Sequence, residues 1–256
     1  MKPPANLGAF YYRQFLSKQG QGVYDRLHAQ LQRADFSGQV PVAISQPETA
    51  ASDSFAAFEA LREDHPEYFF LGIRLRFFSP YSGQEGLLQY PILYTASQIR
   101  QIQHELRKTI FQMVRGTASL SEPEREALTY ERIARRLSYV DRKDPSDHTV
   151  VGPVLFSSGV CEGYNALLLL CLRRLKIPCI KASGRAADQT AHCWTIAWLQ
   201  GNPVHCDVTW DTGRDRRSGF RYFNVSDAQL AADHFNFQTE KLPRCITEQY
   251  NPYPIP

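Results

Sequence analysis

Apolar residues recur at helical spacing in the first part of the chain. Val23, Leu27 and Leu31 predict a helix over 22–34. A second follows in "SDSFAAFEALRED", with Ser52 or Asp53 placed as an N-cap and Pro66 as a stop. The period then changes to two. Leu71, Ile73, Leu75 and Phe77 alternate with Gly72, Arg74, Arg76 and Phe78, and Leu88, Tyr90, Ile92 and Tyr94 repeat the alternation after a Pro/Ser/Gly turn region, which predicts a β-hairpin. Ile99, Ile102, Leu106 and Ile110 mark an amphipathic helix, with Ser97 near its start and Gly116 past its end. The small, polar "GTASLSEPERE" then reads as a boundary, dividing the chain into an extension over 1–115, helices plus a hairpin, and a second domain over 116–256.

Ser121, followed by Glu122 and Pro123, caps a further helix whose apolar face carries Ala127, Tyr130, Ala134 and Leu137. Past the loop "DRKDPSDH", the stretch "GVCEGYNALLLLCLRRL" at 159–175 places Cys161 between two glycines ahead of a buried helix. After Pro178 the period is two again. "CIKASGRA", "HCWTIAWL", "VHCDVTW" and "RYFNV" read as four successive strands. A helix carrying a cysteine followed by an antiparallel meander, with a mixed helix-and-strand extension before it, defines an α+β fold.

The composition, 43% hydrophobic and 21% charged over 256 residues, is that of an ordinary globular protein. Twenty-nine basic and 26 acidic residues are too evenly balanced to imply nucleic acid or an anionic membrane as partner, and "RDRR" at 214–217 reads as a solvated loop. The longest apolar run, "ALLLLCL", is far shorter than a membrane span. The start lacks the apolar core of a secretory signal, so a cytoplasmic location is expected unless a leader has been trimmed. Six scattered cysteines form no CxxC pair, so free thiols are expected, with Cys171, Cys179 and Cys193 acting as small hydrophobes.

Cys161 differs from those. Ser157, Ser158 and Gly159 suit a helix start, which puts the sulfur in the first turn, where unpaired backbone N–H groups and the helix dipole favour a thiolate. Gly159 and Gly163 would keep the approach clear of side chains. A thiol nucleophile needs a base and a group to orient it. With a hairpin turn centred on Gln200 and Gly201, residues whose numbers sum to 401 face each other, so His192 lies opposite Thr209 and diagonal to Asp207. Diagonal neighbours on one face, roughly 7–8 Å apart, are within reach of an imidazole–carboxylate hydrogen bond. An aspartate inside an apolar strand also needs a partner. Trp194 shares the face of His192 as a wall of the site, while Trp210 points away. His205 falls on the same face, and two histidines with a carboxylate could hold a metal; the adjacent cysteines point the other way and no pair has zinc-ligand spacing, so neither a metal nor another cofactor is expected.

"GVCEGYN" followed by "AHCWTIAWLQGNPVHCDVTWD" resembles the transglutaminase-like core found in many bacterial proteins. Its pattern is a Cys in G/A-V-C-x-G-Y-A, a His in H-A-W-N and an Asp in D-V/P-T-W/F-D. "YERIARRLSYVD", "HTVVGPVLF", "YFNVSDAQLAADH" and "LPRC" extend the likeness over about 124–250, and "FEALREDHPEYFF" is similar to an N-terminal extension seen with such cores. The resemblance implies a papain-like fold with Cys161 as nucleophile, His192 as base and Asp207 as orienting acid, and Gly163, Tyr164 and Trp194 binding substrate or walling the site. It implies acyl transfer on protein or peptide amides through a thioester, as protease, deamidase or transglutaminase; the alternative is a silent binding or scaffold domain with the same fold. Two positions depart from the pattern. Asn165 stands for its alanine, and Thr195 for the asparagine after the tryptophan, so a side-chain amide is missing there.

Overall fold

Val23, Tyr24, Leu27 and Leu31 line the buried side of α1 (Lys18–Gln32), and Ala57, Phe58 and Leu61 that of α2 (Ala50–Asp64). The computed structural model describes residues 10–79, 85–215, 217–237 and 240–251. Most of the expected hairpin turn, 80–84, and Arg216 of the basic run lie outside the described residues. Helix α2 begins one turn earlier than its sequence suggested. Thr49 is its N-cap, so Ser52 and Asp53 fall in the first turn, and the Asp53 carboxylate accepts from Thr49 Oγ1 at 2.7 Å and Ser17 Oγ at 2.8 Å. A three-stranded antiparallel sheet accompanies the two helices, in the order β1 (Gln39–Ala43), β3 (Glu85–Gln89), β2 (Arg76–Phe78). The hairpin strands are shorter than their alternation predicted: Leu71 and Ile92 pair only as an isolated bridge, and Ile73 is exposed. Strand β1 had no reading in the sequence because Pro41 interrupts it, and proline is tolerated there because β1 is an edge strand.

The chain separates into two units, Ala9–Gln101 and Ile102–Pro256, and passes from one to the other within α3 (Ala96–Val114). Thr95, one position before α3, caps it: its N–H donates to Gln98 Oε1 at 2.9 Å and its Oγ1 accepts from Gln98 N at 3.3 Å.

In the second unit α4 (Glu122–Arg136) starts from Ser121, whose N–H donates to Glu124 Oε2 at 2.8 Å in a capping box. Strand β4 (Ser138–Tyr139), a 3-10 turn at Pro145–His148, α5 (Val151–Leu155) and β5 (Ser158–Gly159) follow, β4 and β5 pairing in parallel. Next comes α6 (Cys161–Arg174). Tyr164, Leu167, Leu168, Leu169, Cys171 and Leu172 are all buried, the signature of a helix enclosed on every side. It packs on α4 and on a five-stranded antiparallel sheet made of β6 (Cys179–Ala186), β7 (Ala191–Leu199), β8 (Asn202–Cys206), β9 (Phe223–Val225) and β10 (His234–Phe235), with α7 (Asp227–Leu230) between the last two. The order is β10-β6-β7-β8-β9, so β7 is central and is buried on both faces after Ala191. This is the expected α+β arrangement, a helix bearing a cysteine packed on an antiparallel sheet.

One buried acid sets a pH dependence. Glu126 has no exposure; its Oε1 accepts from Cys206 Sγ at 3.4 Å and its Oε2 from Asn224 Nδ2 at 3.0 Å. Burial pushes its pKa up to about 7 against those two hydrogen bonds. Unfolded, the group ionises near 4.5. Between these values the folded chain holds a proton that the unfolded chain releases, so stability falls as pH rises through that window, by an amount on the order of 3 kcal/mol. Thermal denaturation of Glu126→Gln is therefore expected to show a flatter decline in Tm from about pH 5 to about pH 8 than the parent; parallel declines would contradict this.

Candidate active site

Cys161 is the first residue of α6, and its N-cap is Val160, which has no side-chain acceptor for the N–H groups of the first turn. An apolar cap forgoes roughly 1 kcal/mol of helix stability. It leaves those donors, and the positive end of the dipole, without a side-chain acceptor at the turn that carries Cys161. Cys161 is 8% exposed. The flanking glycines do a different job from the one expected of them. A Cβ on Gly163 would lie 2.8 Å from the Asp147 carbonyl oxygen and 3.0 Å from that of Thr149, and one on Gly159 would lie 3.1 Å from Asp147 O. They admit the backbone of the 3-10 turn against the helix start, where Asp147 O also accepts from Val160 N at 3.1 Å.

Gln200 and Gly201 both have positive φ, 49° and 87°, the two-residue turn whose twist matches that of a hairpin. It fixes the register: Leu199 pairs with Asn202 and Thr195 with Cys206. The diagonal contact follows, with His192 Nε2 and Asp207 Oδ2 2.6 Å apart and both side chains buried. Strand β8 ends one residue before Asp207, not at Trp210. Asp207 Oδ1 accepts from Thr209 N at 2.9 Å and Trp210 N at 3.3 Å, an Asx-type turn that bends the chain back. Strand parity therefore fails for Trp210, whose ring comes within 5.3 Å of the His192 ring. Trp194 does share the face of His192, 6.0 Å away ring to ring, but it is fully buried and backs the imidazole without reaching the surface. Tyr164 is also fully buried and belongs to the core, not to a substrate-facing wall.

Burial alone would raise the Asp207 pKa, but hydrogen bonds from His192 and His234 outweigh it and hold the carboxyl below its usual range. Burial likewise opposes a His192 cation, and hydrogen bonds with Asp207 and Cys161 overcome it, pushing the imidazole up to about 10. With Nε2 held by Asp207, Nδ1 is the nitrogen left for the sulfur. The Cys161 thiol is brought down to about 5, first by a hydrogen bond from Cys193 and then, against burial, by His192. Both shifts favour a thiolate–imidazolium pair at neutral pH. The thiols of Cys171, Cys179, Cys206 and Cys245 are raised by burial, and that of Cys193 by its contact with the Cys161 sulfur and by burial.

Cys193 carried no signal as a member of this site. Its placement follows from a contact one turn along: Asn165 Nδ2 donates to Thr195 Oγ1 at 2.8 Å, both fully buried. Cys161 and Asn165 share a helix face at i, i+4, and Cys193 and Thr195 share a strand face at i, i+2, so the bond sets Cys161 over Cys193. Asn165 and Thr195 are also the two departures from the family pattern. They form one hydrogen bond, with the amide supplied from the helix instead of the strand, and Thr195 faces α6 and not solvent.

A cleft of about 490 Å³ opens beside His192, between Tyr139, which is 58% exposed, and a wall of Ala187, Ala191, Thr209 and Trp210. His205 stands behind it. Its Nδ1 accepts from Trp194 Nε1 at 2.9 Å, so the neutral ring carries its proton on Nε2, 2.9 Å from Asp227 Oδ1. A neutral metal-ligating histidine uses its second nitrogen as a donor. His205, grouped with Asp227 and Cys245, has that nitrogen committed as an acceptor, so it is a structural member of the core. His234, in a two-residue strand, had no reading either, and its Nε2 lies 3.2 Å from Asp207 Oδ2.

A cysteine at a helix start, a histidine on the facing strand and an aspartate beyond the next turn thus gather at one end of the sheet. Residues 107–208, which contain all three, match the family model of the Transglutaminase-like superfamily. No curated protein sequence matches. Among solved structures, a TGase is similar at 12% identity and a TM-score of 0.40, over 60% of this chain and 49% of that one, so this chain spans about half its length. A candidate cysteine protease of Cytophaga hutchinsonii is similar at 16% identity and TM-score 0.36, over 57% of this chain and 68% of that one. The periplasmic domain of TgpA from Pseudomonas aeruginosa is similar at 15% and 0.33, over 52% and 56%. Among the described residues no helix is long and apolar enough to cross a membrane.

Two outcomes are expected. In Cys193→Ala the pH midpoint for alkylation of Cys161 by iodoacetamide rises by about one unit, the effect of losing a donor to a thiolate; an unchanged midpoint would contradict the contact. Asn165→Ala loses about 1–2 kcal/mol of unfolding free energy in urea, and the double substitution Asn165→Ala with Thr195→Asn recovers most of it. Additive losses would show that the pair is not coupled.

Proposed function

We propose that the chain is a cysteine-dependent acyl-transfer enzyme acting on amide bonds of proteins or peptides. The observation that carries this reading is the 2.6 Å contact between His192 and Asp207, made by an imidazole whose other nitrogen serves Cys161. The Cys161 thiolate adds to the amide carbonyl carbon, and the charge passes to the carbonyl oxygen, within reach of the free N–H groups at the start of α6. The tetrahedral adduct collapses with cleavage of the C–N bond, and the imidazolium gives its Nδ1 proton to the departing amine. Neutral His192 then takes a proton from water, whose oxygen adds to the thioester; collapse releases a carboxylic acid and restores the thiolate. A primary amine in place of water completes a transamidation. Asp207 keeps its negative charge throughout and stabilises the imidazolium.

Hydrolysis is the favoured outcome in this reading, with the cleft between Tyr139 and Trp210 taking the substrate chain. The six cysteines are free, which suits a cytoplasmic location. No nucleic acid, membrane, metal or other cofactor is invoked.

A library of glutamine-containing and other peptides, incubated with and without a primary amine and followed by mass spectrometry, tests the reading. Cleavage, a 1-dalton gain from deamidation, or amine incorporation is expected from the parent, and a fall of at least about a thousandfold in Cys161→Ala and His192→Ala. Turnover that survives Cys161→Ala would overturn the role of Cys161, and none in the parent with any peptide would favour the binding or scaffold alternative.

A further inference from the structure

Asp207 serves more than one histidine. Its Oδ2 is 2.6 Å from His192 Nε2 and 3.2 Å from His234 Nε2, while its Oδ1 takes the two backbone donors of the turn. A carboxylate has about four acceptor sites, and all are filled. Asp207 is ionised and can only accept, so His234 must present a proton on Nε2. The rest of the surroundings fix that ring. His234 Nδ1 is 2.7 Å from Asp233 Oδ1, and the Tyr222 hydroxyl donates to Asp233 Oδ2 at 2.6 Å. Trp210 and Trp194 pack on the ring at 4.4 and 4.9 Å, and it has no appreciable contact with solvent. The charged and titratable groups facing it are Asp207 and Tyr222 from the chain after β8, His205 from β8, His192 from β7 and Asp233 beside it.

Two donors on one carboxylate oxygen compete for its electron density, and each weakens the hold on the other. We propose that His234 is a positioning residue of the thiol centre, donating to the oxygen of Asp207 that holds His192 and so moderating the pull of that carboxylate on the His192 proton. The consequence is chemical. An imidazolium that must hand its proton to a departing amine is helped by an orienting acid that is not too basic. The inference rests on the acyl-transfer reading for its purpose, though the geometry of the two histidines on Asp207 stands by itself.

The test uses two isosteric changes in the full-length protein. The amide nitrogen of glutamine reaches about where Nε2 lies and that of asparagine about where Nδ1 lies, so His234→Gln keeps the donor to Asp207 and His234→Asn keeps only the link to Asp233. Proton loss from His192 is followed by nitrogen NMR of protein carrying labelled histidine, and Cys161 alkylation is measured against pH in the same samples. The His192 midpoint is expected to rise by about one pH unit, tenfold in proton affinity, in His234→Asn, and to stay within a few tenths of a unit of the parent in His234→Gln. Equal shifts in both variants, or none in either, would overturn the proposal. Asp233→Asn loosens the rear of the ring without touching Asp207 and serves if an asparagine at 234 prevents folding: an upward shift is expected, and an unmoved midpoint counts against the proposal. Failure of the enzymatic reading would look different, as a parent Cys161 that does not alkylate at neutral pH whatever the His192 midpoint does.

Discussion

Asp207 has no access to water, and an isolated carboxylate in such a place would be prohibitively costly. The arrangement around His192 follows from how that cost is met. Two backbone N–H groups, from Thr209 and Trp210, close a turn on one oxygen, and two imidazoles, His192 and His234, share the other. The turn ends β8 and swings Trp210 back beside His192. The shared oxygen ties the first residues of β7 to β10 at the edge of the sheet, strands separated by β6 in the order of the sheet. A single side chain thus terminates a strand, brings Trp210 into the cleft wall and holds the His192 ring.

Cys161 is set up by the opposite device, an omission. Val160 leaves the N-terminal donors of α6 without a side-chain cap at the turn that carries Cys161, with Cys193 and the imidazole as partners of its sulfur. A thiolate there is stabilised by dipole, thiol donor and cation together, which explains how a residue that is only 8% exposed can still ionise easily. The raised pKa values of Cys171, Cys179, Cys206 and Cys245 follow from burial without those partners, and that of Cys193 chiefly from its hydrogen bond to the Cys161 sulfur.

Much of this was legible in the sequence wherever a local rule had one solution. Gln200-Gly201 admits a tight two-residue turn, and counting outward from it gave the observed register, hence the meeting of His192 with Asp207. The leucine run after Cys161 could only be a buried helix. What was not legible depended on tertiary contacts that override local pattern. Parity misplaced Trp210 because Asp207 ends the strand with its own side chain. Gly159 and Gly163 looked like an open approach to the sulfur, whereas they admit a backbone that is adjacent only in space. Thr195 looked like a lost amide and Asn165 like an unrelated departure until their partnership, thirty positions apart, was visible. His234 sits in a strand of two residues, too short for any period to show, and Pro41 hid β1 in the same way.

The central claim is that Cys161 and His192 form an ion pair at neutral pH. Thiolate absorbance near 240 nm, recorded during a pH titration of the native protein and of Cys161→Ser, measures it most directly. A step equal to one thiolate with a midpoint near pH 5, present in the parent and gone from the serine variant, is the expected result. A parent that shows no thiolate until about pH 8 or above, where an ordinary cysteine ionises, would contradict it.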